Sequence, residues 1–170
     1  AVSMLVSLGI IEGKPDGSYG PTENVDRAQM AKMLSVIMNK GVDNSALYQS
    51  VNSGLVDVNT NWAKGHINYC YTTGIIAGRG NGKFDPSATV TALEAAKMLL
   101  VAVGYDPAIE GFEGADWAIN VSVRADEQGI FEGFTKDLSA PLNRDDAALL
   151  IYNALDVEMI QSYTTNNYPI

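Results

Sequence analysis

The chain repeats itself. Leu8 to Leu34, LGIIEGKPDGSYGPTENVDRAQMAKML, aligns without a gap on Thr73 to Leu99, TGIIAGRGNGKFDPSATVTALEAAKML, at an offset of 65 residues, as from Gly9 to Gly74. This register pairs Gly13 with Gly78, Pro21 with Pro86 and Lys32 with Lys97. A third, weaker copy, QGIFEGFTKDLSAPLNRDDAALLIYNAL, runs from Gln128 to Leu155. Its loop is three residues shorter, because Ile130 to Arg144 spans 14 positions where Ile10 to Arg27 spans 17. Recurrence at this length marks a small unit that cannot bury its apolar face alone and is stabilised by packing on its copies.

Each copy reads as helix, glycine-bearing loop, helix. In the second, Trp62, His66, Ile67 and Tyr69-Cys70 recur at helical spacing, and Gly74 stands where a helix C-terminal glycine belongs. The apolar residues flanking the loop turn, Ile75-Ile76 and Phe84, suggest a very short ribbon. The second helix opens on a capping pattern: Asp26 with Gln29, Thr91 with Glu94 and, more loosely, Asn143 with Asp146. The N-terminal AVSMLVSLGI reads as the end of a helix whose start is missing, without the basic leader of a signal peptide. The expected fold class is all-α with minor β at the loops. The expected units are a first repeat over 1–40, a connecting segment over 41–54 with a short helix from Ser45 to Val51, and a second repeat over 55–104. A connecting turn over 105–114, a third repeat over 115–156 and a polar C-terminal linker over 157–170 follow.

Composition removes several function classes. With 46% hydrophobic residues in 170 and a modest 18% charged, the chain can build a real core and is not composed like a disordered one, while the net charge of -9 argues against nucleic acid. Phosphate neutralisation needs clustered Lys and Arg, whereas the 11 basic residues are scattered along the sequence. No apolar run approaches the ~18 residues of a membrane span. The single cysteine, Cys70, excludes an intrachain disulfide and a multi-cysteine zinc site, and the single histidine, His66, cannot build a metal centre. The loop Gly78-Arg79-Gly80-Asn81-Gly82-Lys83 is one residue short of a phosphate loop and follows a helix. The Asp16 to Asp26 loop lacks the alternating ligands of a calcium site and has Arg27 where a bidentate glutamate is wanted. No nucleophile stands beside an oriented base, and no carboxylate pair is placed for glycosidic chemistry. The chain is read as no enzyme, with no metal and no cofactor.

The segment Leu55 to Leu99, LVDVNTNWAKGHINYCYTTGIIAGRGNGKFDPSATVTALEAAKML, resembles a complete S-layer homology repeat. The features that carry the likeness are the Leu-Val-Asp-Val start, the Trp-Ala helix, Gly-Ile-Ile-x-Gly and the Phe-x-Pro loop; the three copies together cover nearly the whole chain. The resemblance implies a pseudo-threefold helical bundle projecting three lobes, with grooves between neighbouring repeats. It implies a non-covalent anchor outside the membrane, in the cell wall or S-layer of a Gram-positive-type bacterium. Its implied partner is pyruvylated secondary cell-wall polysaccharide; an assembly module touching neighbouring S-layer subunits without glycan is the alternative. The family's ligand-contacting arginine falls on Arg27 and Arg144; in the second copy the position holds Ala92, a departure from the family's pattern at one of its three sites. Asp26, Asp57, Trp62, Trp117, Gly13, Gly78 and Gly133 fall on positions that line or support the family's grooves. The family's Pro-Asp-Gly turn is kept as Pro15-Asp16-Gly17 in the first copy.

The residue types suit that chemistry. A helix N-terminus with free N–H groups favours a carboxylate, and an arginine in the first turn adds a planar fork. Tryptophan offers a flat apolar face to a sugar ring, although core packing is its commoner use.

Overall fold

A computed structural model describes residues 1–13, 16 and 18–170. The Pro15-Asp16-Gly17 turn therefore lies, except for Asp16, outside the described residues. Eight helices are found among them: α1 (Val2–Ser7), α2 (Arg27–Met38), α3 (Ser45–Tyr48), α4 (Lys64–Thr72), α5 (Ala92–Ala102), α6 (Pro107–Glu110), α7 (Trp117–Glu127) and α8 (Arg144–Ala154). The fold is all-α, with β structure confined to isolated bridges. No helix among the described residues is long and apolar enough to cross a membrane.

The helix limits follow from local chemistry. Asp26 and Thr91 cap α2 and α5 with both arms of the capping box, their side chains accepting from the N–H of Gln29 and Glu94. Asn143 caps α8 through the N–H of Asp146 alone, as the looser pattern led us to expect. At the other end, Gly9, Gly74 and Gly129 follow the first helix of each repeat with φ of +74°, +80° and +74°, a left-handed turn that only glycine enters without steric cost.

Packing closes the repeats into a ring. The second helix of each repeat packs on the first helix of the next: α2 on α4, α5 on α7, and α8 back on α1. The second helices also meet at the centre, α5 touching both α2 and α8. At the heart of this bundle the segments entering α2, α5 and α8 form a closed cycle of backbone hydrogen bonds. Val25 N–H donates to Leu142 O (2.9 Å), Leu142 N–H to Val90 O (2.7 Å), and Val90 N–H to Val25 O (3.2 Å). All three side chains are buried. The bridges Asp26–Thr89, Thr91–Pro141 and Asn143–Asn24 repeat the same cyclic order.

Three expectations change. The ribbon between Ile75-Ile76 and Phe84 does not form. Those side chains enter the core instead, and only the turn-scale bridge Gly80–Lys83 remains. The connecting turn over 105–114 contains a helix, α6, which Asp106 caps and Pro107 starts, a sequence signal that was present as Asp-Pro. The polar tail read as a linker over 157–170 is tied down: Ile160 N–H donates to Val103 O, and the Tyr163 hydroxyl accepts from Asp106 N–H while donating to Glu110. Pro169 then folds back onto Tyr163 in a bridge.

Between repeats one and two, α3 lies so close to α4 that a Cβ on Gly65 would collide with the Ser45 carbonyl oxygen. Gly65→Ala is expected to lower stability by about 1–3 kcal/mol through overpacking, measured as the shift in urea midpoint at constant slope.

Candidate functional site

Arg27 begins α2 yet serves the neighbouring repeat. Its guanidinium lies 4.5 Å over the Phe84 ring, with Nε donating to Phe84 O (2.8 Å) and Nη2 to Ala77 O (2.6 Å). Asp57 holds that loop from behind, its carboxylate accepting from the N–H groups of Phe84 and Asp85. Against its partial burial, these two hydrogen bonds hold the Asp57 carboxyl below its ordinary pKa. Arg27 is buried, at 3% exposure. Burial first, then the neighbouring Arg79, lowers its pKa to about 10, so it stays charged at neutral pH.

Arg144 repeats this arrangement on the first loop. Its guanidinium lies 4.9 Å over Tyr19, and Nη2 donates to Glu12 O (2.8 Å). Tyr19 and Phe84, and Glu12 and Ala77, are equivalent pairs in the repeat register. Neither arginine is in an ion pair among the described residues, and each borders a cleft. One cleft, of about 230 Å³, is lined by Glu12, Gly13, Gln29, Lys32, Met33, Trp62 and Arg144 with Ile10, Ile11, Tyr19 and Val25. The other, of about 610 Å³, is lined by Ala77, Gly78, Glu94, Lys97, Met98, Trp117 and Arg27 with Arg79, Ile75, Phe112, Glu113 and Gly114.

The two clefts are built to one plan. Gly13, Lys32 and Met33 of the first correspond to Gly78, Lys97 and Met98 of the second. Each takes its loop and second helix from one repeat, its tryptophan from the next and its arginine from the previous one. A groove thus needs all three repeats, not two. Lys97 lies 5.8 Å over the Trp117 ring. Trp62 stands in the turn before α4 and is 61% exposed, so core packing is not its role; Trp117 is half-buried.

The remaining positions divide. Gly13 and Gly78 line the clefts. Gly133, in the third copy, lies instead under Leu149, which occupies the position of Lys32 and Lys97, while Ala92 takes the place of the arginine. The third groove thus lacks both cations. Asp26 acts as a cap, and Asp57 braces a loop; neither lines a cleft. The lysines Lys32 and Lys97 were the missed pair. Their equivalence at the 65-residue offset was the signal.

The helix N-termini do not offer free amides, contrary to expectation. Arg27 N–H and Ala28 N–H donate to Ala88 O and Pro86 O, and Arg144 N–H and Asp145 N–H to Glu23 O and Pro21 O. The next amides go to the cap side chains. A ligand in these clefts meets side chains, not helix ends. Arg27, Arg79 and Lys97, with Lys32 and Arg144, are among the 11 basic residues that appear scattered in sequence; folding gathers them at two grooves of an acidic chain.

Residues 1–31 and 56–96 match the family model of the S-layer homology domain. These are S-layer homology repeats. A cell surface protein of Thermoanaerobacter kivui is 32% identical over 162 residues, covering 95% of this chain and 20% of that protein. The middle cell wall protein of Brevibacillus brevis is 29% identical over 161 residues, 94% of this chain and 15% of that protein. An S-layer protein of Bacillus licheniformis is 32% identical over 111 residues, 65% of this chain and 12% of that protein. The chain thus spans about a fifth or less of the length of these relatives. The third S-layer homology-like copy lies outside the two matched regions but inside the alignment that covers 95% of the chain.

One polar cluster lies apart from the grooves. The Ser35 hydroxyl is 2.6 Å from His66 Nδ1, and His66 Nε2 is 3.7 Å from Asp43 Oδ2. The residue types are those of a hydrolase triad, but Ser35 and His66 are buried, and the serine meets no cleft wall. The cluster ties α2 to α4. Beside it, burial pushes the Cys70 thiol up to about 12 and its Sγ donates to Ala31 O, so no thiolate forms near neutral pH.

Burial, and secondarily the charge of Lys32, lowers the His66 pKa, while Asp43 and Glu12 oppose this. The unfolded chain then takes up a proton near pH ~6.5 while the folded chain does not. Stability from this group is complete above that pH and is lost as pH falls below it. Urea midpoints should decline between pH 7 and 5, and His66→Gln, though less stable overall, should show a flatter profile across that window.

Proposed function

We propose that the chain is a non-catalytic cell-wall anchoring module that holds anionic, pyruvylated secondary cell-wall polysaccharide in its two inter-repeat grooves. S-layer homology domains, and relatives named as cell-surface, cell-wall and S-layer proteins, support cell-wall association at the cell surface. The observation that carries the finer reading is the recurrence of one constellation, Gly-Lys-Met with tryptophan and arginine from the flanking repeats, in two grooves of a chain of net charge -9. A lysine and an arginine beside an indole face suit a sugar ring that bears a carboxylate.

Arg27 is a poor first test, because removing it also deletes two buried hydrogen bonds and its stacking on Phe84. Lys97 and Trp62 are cleaner, being half-buried and exposed. In co-sedimentation with wall sacculi, Lys97→Met should weaken binding by about 1.5–3 kcal/mol, the range for a hydrogen bond to a charged group. Trp62→Ala should cost about 2 kcal/mol, as for an interface anchor. Sacculi stripped of their secondary polymer should no longer pellet the parent protein. Equal pelleting by stripped and intact sacculi would sink the glycan reading, and self-association without sacculi would favour a lattice contact.

A further inference from the structure

The two grooves share their glycine, lysine, methionine, tryptophan and arginine, and differ at Gln29 against Glu94, Tyr19 against Phe84, Glu113 of the second groove, and one pair that bears directly on the lysine. At the position where the second groove has Ala77, the first has Glu12. Both residues offer the backbone carbonyl that accepts from the groove arginine. Only Glu12 adds a carboxylate, and that carboxylate takes Lys32, with Oε2 to Nζ at 2.8 Å. Lys97, the equivalent lysine, makes no ion pair among the described residues and rests over Trp117. The nearby Glu94 does not neutralise it, since Glu94 is engaged by Arg79 at 3.2 Å.

We infer that Glu12 is the residue that sets the two grooves apart: its side chain already occupies the lysine on which an anionic ligand would settle. Resting on the reading that the grooves bind a carboxylate-bearing sugar, this makes the second groove the tighter site and the first a self-competed one. In the second groove an incoming carboxylate meets two cations, Arg27 and Lys97, that are in no ion pair among the described residues, although Glu94 and Glu113 also line that cleft. Among the described residues of the first groove it meets one such cation, Arg144, and must displace Glu12 to reach Lys32. The displaced ion pair is solvent-exposed on the glutamate side, with Glu12 at 69%, so the difference is modest. Exposed pairs of this kind correspond to about two- to fivefold in a binding constant.

The molecule carries its own reporters, because its two tryptophans stand one in each groove. The probe is a methyl glycoside bearing a 4,6-O-(1-carboxyethylidene) ketal, with its methyl ester as the uncharged control. It is titrated into the ¹⁵N-labelled protein while the two indole N–H signals are followed separately. In the parent, the Trp117 signal should reach half-shift at about two- to fivefold lower probe concentration than the Trp62 signal. Glu12→Gln should bring the Trp62 midpoint down to that of Trp117. Ala77→Glu, at an exposed position that accepts a longer side chain, should raise the Trp117 midpoint by a similar factor. Should both indoles respond to the acid but neither midpoint move in these variants, the role given to Glu12 is wrong while the glycan reading stands. Should neither indole respond to the acid, or should the ester act as well as the acid, the glycan reading itself fails.

Discussion

Three amide groups hold the architecture together. Val25, Leu142 and Val90 pass a hydrogen bond from one repeat to the next until it returns to its start. A buried backbone N–H left without a partner costs about 1–3 kcal/mol, so the closed cycle satisfies three such groups that no helix or sheet could serve. It also fixes where α2, α5 and α8 begin, because each of these residues lies just ahead of a helix cap. Everything that lines the grooves is placed relative to those starts. Arg27 and Arg144 extend from the first helical position onto the adjacent loop, where stacking on Phe84 and Tyr19 orients them.

This ring explains why the helix ends are not available to a ligand. The loops it draws inward place the carbonyls of Pro86, Ala88, Pro21 and Glu23 against the first amides of α2 and α8. The positive end of each helix is spent on holding the neighbouring repeat. The charge that faces the clefts is carried by guanidinium and ammonium groups alone. That is a workable arrangement on a chain with 20 acidic and 11 basic residues, because Arg27, buried and held by the carbonyls of Phe84 and Ala77 with no ion pair among the described residues, keeps its positive charge.

Much of this was legible in the sequence. The gapless 65-residue register gave the repeats, Asp26-x-x-Gln29 and Thr91-x-x-Glu94 gave the helix starts, and Gly74 gave the helix end. The same register already paired Lys32 with Lys97 and set Glu12 opposite Ala77, yet it could not say that these positions share a cleft. What stayed hidden depends on tertiary closure: which repeat supplies which wall, whether Trp62 faces solvent, and where the amides of Arg27 and Ala28 go. The tail was misread for a related reason. Its polar composition suggested a tether, but Tyr163 and Ile160 are held by partners near α5 and α6 that no local pattern announces.

The return of α8 onto α1 also governs how the molecule is assembled in time. The contact that seals the circle joins two segments at opposite ends of the described chain, so earlier pieces must wait, incomplete, for the last helix to emerge. Contacts so distant along the polymer slow folding, and a chain cut short before α8 leaves an open arc with the apolar flank of α1 bare to water. The last helix of the circle is therefore the one on which its closure waits.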